Sequence, residues 1–108
     1  MLKKANRLAK DTDIKTAFAR GRTFFNPFFT IKALYKPGEK RFTVVISTKV
    51  FKNATDRNRL KRLVREYLRK NLSSFKSGNY IIVAKPKVKS LPEADMLKSF
   101  IDLCAKLR

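Results

Sequence analysis

The chain has 108 residues and a formal net charge of +19 at pH 7, from 27 Lys or Arg against 8 Asp or Glu. This length predicts one domain with one hydrophobic core, and we treat residues 1–108 as a single domain with a mobile basic segment at residues 1–10. The single Cys excludes an intramolecular disulfide, and the absence of His removes the commonest general base and metal ligand. A domain this basic is expected to bind a polyanion, with nucleic acid as the first candidate.

The charge is distributed unevenly along the chain. Residues 91–108 carry three bases and three acids, so the whole excess lies within residues 1–90. The alternative, a charge that serves only solubility, is disfavoured because an unneutralised excess repels itself. No apolar run approaches the roughly 20 residues of a membrane span. The first residues also lack the apolar stretch of a signal peptide, and we therefore expect a cytoplasmic protein that binds no membrane.

The first predicted element is a short helix over residues 13–20. Asp11, Thr12 and Asp13 offer N-caps and negative charge for its beginning. Apolar residues then follow at helical spacing, and Gly21 suits the end of the helix.

Extended segments come next. Residues 22–35 contain strand formers interrupted at Asn26-Pro27, and residues 41–48 are rich in β-branched residues. Because residues 36–39 are a turn signal, these segments are expected to form an antiparallel meander of three strands.

The second half of the chain predicts a long helix, a strand and a third helix. Residues 54–74 have apolar side chains at helical spacing, and the apolar run 80–84 is typical of a strand covered on both faces. Ser90 and Glu93 match a capping box, and Cys104 lies on the apolar stripe that follows, which predicts a buried thiol. The order of elements predicts an α+β sandwich with helices on a four-stranded sheet.

Basic side chains crowd the polar sides of the long helix. Arg57, Lys61 and Arg65 repeat at four-residue steps, and Asn58 and Arg62 lie beside them. Five of the seven bases between residues 57 and 70 are Arg, whose planar fork binds phosphate bidentately. A phosphate backbone would relieve the repulsion between these charges. The alternative is a solvated helix face, although such faces usually mix Glu with Lys.

Aromatic residues are a second indication of nucleic-acid binding. The chain has nine Phe and three Tyr, and four of the Phe lie between Arg22 and Lys32. On one strand, Phe28, Thr30 and Lys32 would share a face, where aromatic and basic side chains can stack unpaired bases and hold their backbone. Phe18 on the first helix would border the same surface. Most Phe residues are expected in the core, with a small number lining a cleft.

The sequence predicts no catalytic and no metal-binding residue. No carboxylate pair has a suitable setting, and no Ser or Cys has a candidate base. The three Gly form no phosphate-binding loop, and a Cys or His metal cluster is excluded by composition.

At residues 57–66, RNRLKRLVRE, the sequence resembles the protein subunit of bacterial ribonuclease P. That family carries Arg-Asn-Arg followed by Lys-Arg and a further Arg at this spacing. The similarity extends along nearly the whole chain, to Arg7-Leu8, Phe18 with Gly21, RFTVVISTK at 41–49 and YIIVAK at 80–85.

The resemblance implies an αβββαβα fold whose βαβ crossover is left-handed, against the general right-handed rule. It implies the protein subunit of an endoribonuclease whose catalysis is carried by an RNA subunit with Mg²⁺, which that RNA mainly binds. The protein would bind this RNA and hold the 5′ leader of precursor tRNA between the first helix and the sheet. Protein oligomerisation is not required.

The residues assigned to these roles come mostly from the matched motif. The contacts to the catalytic RNA, with Arg69 added from the same helix rows, are Arg57, Asn58, Arg59, Lys61, Arg62, Arg65 and Arg69. The residues assigned to the leader cleft are Phe18, Arg22, Phe28 and Lys32.

Two alternatives stay open. A ribosomal-type or general RNA-binding protein would share the charge but have no role in cleavage. A protein-only nuclease would need acidic metal ligands or a base, whereas the eight acids are scattered.

Overall fold

The computed structural model describes residues 3–107. Within them, the helices and strands are α1 (Asp11–Arg20), β1 (Arg22–Phe25), β2 (Phe29–Tyr35), β3 (Lys40–Val45), α2 (Ala54–Lys70), β4 (Gly78–Ala84) and α3 (Glu93–Cys104). Short 3-10 turns occur at Lys4–Asn6, Leu72–Ser74, Pro86–Ser90 and Ala105–Leu107. The predicted α+β class, with three helices and a four-stranded sheet, is confirmed. None of the helices in this part of the chain has the length and apolar character needed to cross a membrane.

Two helix boundaries and one cap differ from the sequence prediction. α1 begins at Asp11, so Asp11 and Asp13 lie in its first turn instead of capping it. α2 ends at Lys70, because the side-chain amide of Asn71 donates to the carbonyl of Tyr67 at 2.8 Å and a 3-10 turn follows. The predicted capping box is wrong, since the Ser90 hydroxyl donates to the carbonyl of Lys87 at 2.7 Å.

The strand order is β1-β2-β4-β3, so the predicted meander is wrong for β3, whereas β1 and β2 pair in antiparallel orientation as predicted. β4 lies between β2 and β3, antiparallel to β2 and parallel to β3. The physical reason is the composition of β4: all but one of its seven residues are buried, and only a central position covers both faces and both edges. A parallel neighbour requires a crossover, and α2 provides it between β3 and β4.

The two faces of the sheet carry different helices. α2 and α3 cover one face, where Tyr80 and Ile82 of β4 join the main core. α1 covers part of the other face, where Ile81 packs with Ala17 and Leu8 in a second, smaller cluster. The prediction that residues 80–84 are covered on both sides is confirmed. The Cys104 thiol is buried in the main core, as predicted.

Residues 3–10, which were expected to be mobile, pack against the edge of β3. Leu8 is 3% exposed, and its N–H donates to the carbonyl of Phe42 at 2.8 Å. The side-chain amide of Asn6 donates to the carbonyl of Lys40 at 2.8 Å. Burial of Leu8 ties this segment to the fold. Met1 and Leu2 of the same predicted segment lie outside the described residues.

Gly21 joins α1 to β1 and brings the helix close to the sheet. Its backbone is extended, with φ −71° and ψ 154°, so it is not a left-handed helix stop. A Cβ at this position would lie 2.4 Å from the carbonyl oxygen of Ala17 and 3.2 Å from the carbonyl carbon of Ala33. Glycine is required here by close approach, and this approach sets the distance of α1 from the sheet.

Candidate RNA interface

The exposed side of α2 carries basic side chains that have no acidic partner. Leu60, Val64 and Leu68 are buried and fix which side of the helix faces the core. Lys61, Arg62 and Arg65 lie away from that stripe, and none has a carboxylate oxygen within 4.0 Å among residues 3–107. We call Lys61, Arg62 and Arg65, with the exposed Asn58 beside them, the basic stripe.

Arg57, in contrast, is hydrogen-bonded to the backbone of the chain. Its guanidinium donates to the carbonyls of Phe51 at 2.7 Å and Lys52 at 2.9 Å. These carbonyls belong to the loop before α2, so Arg57 fixes the entry of the chain into the helix. Arg57, which is predicted to contact the RNA, therefore also has a structural role. Arg59 lies on the opposite flank, with its Nε 3.9 Å from the Glu93 carboxylate on α3.

Glu66 pairs with bases at the end of α2. Arg69 donates to it through both Nε, at 3.2 Å, and a terminal nitrogen, and Lys70 Nζ lies 3.8 Å away. The hydrogen bond from Arg69, aided by the charges of Arg69 and Lys70, lowers the pKa of Glu66 to about 2. Glu66 is thus ionised at neutral pH and partly neutralises Arg69, another predicted RNA contact.

A second exposed surface lies on the sheet face that α1 covers only in part. The strand register aligns Thr30 of β2 with Val83 of β4 and Val45 of β3 in one row. Val45 is 44% exposed, because α1 covers the neighbouring row that contains Ile81. Side chains directly opposite each other in a sheet project from the same face, so this row forms a continuous shallow floor.

Phe18 of α1 stands beside that floor and is 56% exposed. The ammonium of Lys32 lies 5.3 Å from the centroid of its ring, within the range of a cation–π contact. The structure therefore brings together two of the four predicted cleft residues. We call this surface the sheet cleft; it comprises Phe18, Thr30, Lys32, Val45 and Val83.

The other two predicted cleft residues, Phe28 and Arg22, do not take part in this contact. Phe28 contacts the main core, with Lys87 Nζ 5.9 Å from its ring centroid, but its carbonyl accepts from the N–H of Lys85 at 2.8 Å, which continues the β2–β4 register and agrees with the predicted face. A turn at Asn26 precedes this pairing, and the side-chain oxygen of Asn26 accepts from the N–H groups of Phe28 at 2.9 Å and Phe29 at 2.8 Å.

Arg22 is paired with Ala33, whose side chain is in the main core. Arg22 therefore begins β1 on the face that α2 and α3 cover, opposite the sheet cleft.

The sequence prediction also missed side chains in the sheet cleft and beside it. Phe25 is 62% exposed at the outer end of the row that contains Thr30, on the edge strand β1. Val45 and Val83 complete the row. Alternation within β1, where Thr23 and Phe25 share a face, was the available signal, but the row becomes visible only once β4 is placed between β2 and β3.

The basic stripe and the sheet cleft lie on opposite sides of the sheet, since α2 covers one face and α1 the other. Within residues 3–107, no three His, Cys, Asp or Glu side chains converge to hold a metal ion. The arrangement can bind phosphates on one side and stack unpaired bases on the other.

Comparisons with known proteins agree on one family. Residues 2–108 match the family model described as Ribonuclease P. The Ribonuclease P protein component of Bacillus velezensis is 33% identical over 106 residues, which cover 97% of this chain and 91% of that protein. The corresponding protein of Pseudanabaena sp. is 35% identical over 94 residues, which cover 85% of this chain and 81% of that protein.

Solved structures show the same fold. The RNase P protein of Staphylococcus aureus matches with a TM-score of 0.87 at 24% identity, covering 96% of this chain and 98% of that one. The RNase P protein of Thermotoga maritima matches with a TM-score of 0.81 at 23% identity, covering 94% of this chain and 97% of that one.

Proposed function

The chain belongs to the ribonuclease P protein family, and from this premise we propose that it assembles with a catalytic RNA into a ribonucleoprotein that removes the 5′ leader from precursor tRNA. In this complex the RNA subunit carries the hydrolysis, and the protein supplies binding and positioning. One copy of the protein suffices. The location is cytoplasmic as part of the same proposal, because precursor tRNA is the substrate.

Mg²⁺ belongs to the RNA in this proposal. Within residues 3–107 no three His, Cys, Asp or Glu side chains converge, so we assign no dedicated metal cage to the protein. No step of the proposed mechanism passes through a protein-bound metal. The protein's contribution to metal binding is indirect, through the arrangement of RNA phosphates that its bases stabilise.

The basic stripe is the observation that carries this proposal. Lys61, Arg62 and Arg65 are three bases on one helix without an acidic partner in the described chain, within the motif on which the family resemblance rests. Each base that contacts a phosphate releases condensed counterions, which drives binding and makes it dependent on salt. Asn58 adds a neutral donor and acceptor that suits a base edge or a ribose 2′-hydroxyl.

The sheet cleft is proposed to hold the 5′ leader. A leader is single-stranded, so its bases are free to stack, and the exposed ring of Phe18 offers a stacking surface at its side. Lys32 holds a positive charge beside that ring for the phosphates. Neither contact reads a base edge, which suits leaders of variable sequence.

A reconstitution experiment tests the proposal. Purified protein is added to precursor tRNA and Mg²⁺ at physiological salt, with and without the cognate catalytic RNA, and 5′ cleavage is measured. We expect cleavage only when the RNA is present, and stimulation by the protein. Cleavage by the protein alone would contradict RNA catalysis. Binding without stimulation would favour a general RNA-binding protein.

A further inference from the structure

We propose that Phe25, together with Lys85, forms an additional nucleotide-stacking position that extends the path of single-stranded RNA from the sheet cleft over the outer edge strand β1. This inference rests on the proposed function, because it takes the 5′ leader as the strand that is bound. It concerns two residues outside the sheet cleft and outside the predicted set of site residues.

The ring of Phe25 is the most exposed large apolar side chain within residues 3–107, at 62%. One exposed ring is common on protein surfaces and has no meaning by itself. Phe25, however, has basic groups at two sides. Lys85 Nζ lies 5.1 Å from the ring centroid, and Lys106 Nζ donates to the carbonyl of Phe25 at 3.4 Å.

Lys85 is held in this place by the backbone. Its ammonium donates to the carbonyl of Asn26 at 2.7 Å, so the charge is fixed beside the ring. None of the carboxylates in residues 3–107 lies within 4.0 Å of Lys85 or Lys106. The positive charge at this position is therefore available to a phosphate.

The turn after β1 is also braced. The side-chain amide of Asn26 donates to the carbonyl of Ser99 on α3 at 2.9 Å, while its oxygen accepts from the N–H groups of Phe28 and Phe29. The base of the Phe25 side chain is thus anchored to β2 and α3. A stacking surface that is ordered before binding loses less conformational entropy when the ligand arrives.

The position of Phe25 is continuous with the sheet cleft. Phe25 is directly opposite Thr30, and Lys32 lies two residues further along β2 on the same face. Such diagonal neighbours are about 7–8 Å apart, within reach of aromatic and long side chains. A strand that stacks on Phe18 beside Lys32 can therefore continue to Phe25 without leaving this face.

The basic surroundings favour a nucleic acid over a protein as the occupant. An apolar protein partner would have to bury the ammonium groups of Lys85 and Lys106 without a counter-charge, which is costly. A single-stranded nucleic acid supplies both a base for the ring and phosphates for the ammoniums. The charge and the ring together select this class of ligand.

The test measures binding of precursor tRNAs with leaders of increasing length to the reconstituted complex of protein and catalytic RNA. The substrates carry a non-cleavable linkage at the scissile phosphate. We expect Phe25→Ala to weaken binding roughly 5- to 100-fold for leaders long enough to reach β1, as is usual when the stacking of one base is removed. Shorter leaders should bind to the variant and to the unmodified protein equally.

Further variants separate stacking from charge and from folding. Phe25→Tyr should retain the affinity, because it keeps the ring. Lys85→Ala should reduce affinity for the same long leaders, while Lys98→Ala, an equal change of charge on α3, should not. Thermal unfolding should be unchanged by Phe25→Ala, since the ring is exposed.

Two results would overturn the inference. One is a loss of affinity in Phe25→Ala that is equal at all leader lengths, or absent at all of them. The other is weaker binding of the catalytic RNA itself, which would place Phe25 in that interface instead. A third result would instead contradict the proposed leader role. In that case the unmodified protein would not improve the binding of precursor tRNA, whatever the length of the leader.

Discussion

The basic stripe and the sheet cleft are built in different ways. The stripe comes from a single helix, and its geometry follows from the helical repeat and from the buried residues on the other side of α2. The cleft gathers side chains from α1 and from three strands, and it exists only while α1 stays at its distance from the sheet. The stripe is expected to act through charge, which salt weakens, and the cleft through stacking, which salt affects less.

The difference implies that the two surfaces fail in different ways. Removal of a base from the stripe eliminates one interaction and leaves the helix intact. Disrupted packing under α1 would alter every interaction in the cleft together. Variants of single residues can show whether the two surfaces are independent, and whether each residue acts through binding or through the fold.

The largest effect is expected from removing the stripe. The triple variant Lys61→Ala, Arg62→Ala and Arg65→Ala should weaken binding of the catalytic RNA by about 3 kcal/mol, roughly a hundredfold, if each base contributes about 1 kcal/mol. The slope of log affinity against log salt should fall by about 0.7 to 0.9 for each phosphate that the protein no longer binds. Filter binding over a salt series measures both quantities.

A charge-matched control accompanies this variant. Lys36, Lys89 and Lys98 are exposed and lie outside the stripe and the cleft. Their joint replacement by Ala removes the same charge and should leave most of the salt slope in place. Equal reductions of affinity in the two triple variants would mean that net charge, and not the stripe, determines binding.

The second effect is expected in the cleft. Phe18→Ala removes an exposed ring beside Lys32 and should weaken binding of precursor tRNA roughly 5- to 100-fold. Binding of the catalytic RNA should be unchanged, as should the salt slope. A comparable reduction in both binding reactions would show that the two surfaces are coupled, contrary to their separate construction.

The third prediction distinguishes the structural role of Arg57 from the RNA-binding role of the basic stripe. Arg57→Ala removes two hydrogen bonds to the loop before α2 and should lower the free energy of unfolding by about 1–2 kcal/mol. The midpoint of thermal unfolding should fall by several degrees in a domain of this size. Calorimetry is the measurement.

Arg62→Ala is the matched variant for that comparison. It removes the same residue type from the same helix and should weaken RNA binding while leaving the unfolding temperature unchanged, because Arg62 lies on the polar side of α2 and has no partner in the described chain. If Arg57→Ala instead lowers the salt slope without destabilising the fold, Arg57 belongs with the stripe.

The smallest effect concerns Glu66. Its pKa is lowered from 4.5 to about 2 when folded, chiefly by the hydrogen bond from Arg69, so the unfolded chain takes up this proton first. The stabilisation is therefore complete above pH 4.5 and is lost as pH falls from 4.5 towards 2. Because the pair is exposed, this contribution is small, and Glu66→Gln should remove it together with an equally small part of the stability at pH 7.

Denaturant unfolding over a pH series checks this prediction. Glu93→Gln removes the same charge near Arg59 without removing a hydrogen bond, and it is the control. The freed Arg69 should also bind RNA slightly more tightly in Glu66→Gln. A tighter complex in Glu93→Gln alone would instead favour Arg59 as the RNA-binding residue on this flank.

The accuracy of the sequence-based prediction differs between the two surfaces. The helical spacing of Leu60, Val64 and Leu68 was enough to identify the buried side of α2, and outside it Arg62 is exposed while Lys61 and Arg65 are half-buried. The hydrogen bonds of Arg57 to the carbonyls of Phe51 and Lys52 were not predictable, because they depend on how the preceding loop folds back.

The cleft was predicted less well. Phe18 and Lys32 meet as predicted, whereas Phe28 contacts the main core and Arg22 begins β1 on the opposite face of the sheet. Phe25 was available in the sequence, but its neighbour Lys85 is distant along the chain and comes beside it only in the folded sheet.

The sequence by itself determined the class of fold, the apolar side of each helix, the burial of the apolar run in β4 and the basic side of α2. These features follow from periodicity and composition over a few consecutive residues, where the backbone geometry is fixed by hydrogen bonding. The tertiary structure alone decided that β4 lies between β2 and β3, and thus which side chains share the row from Phe25 to Val45. Strand order depends on competition among distant segments for the central, doubly covered position, and no local pattern records its outcome.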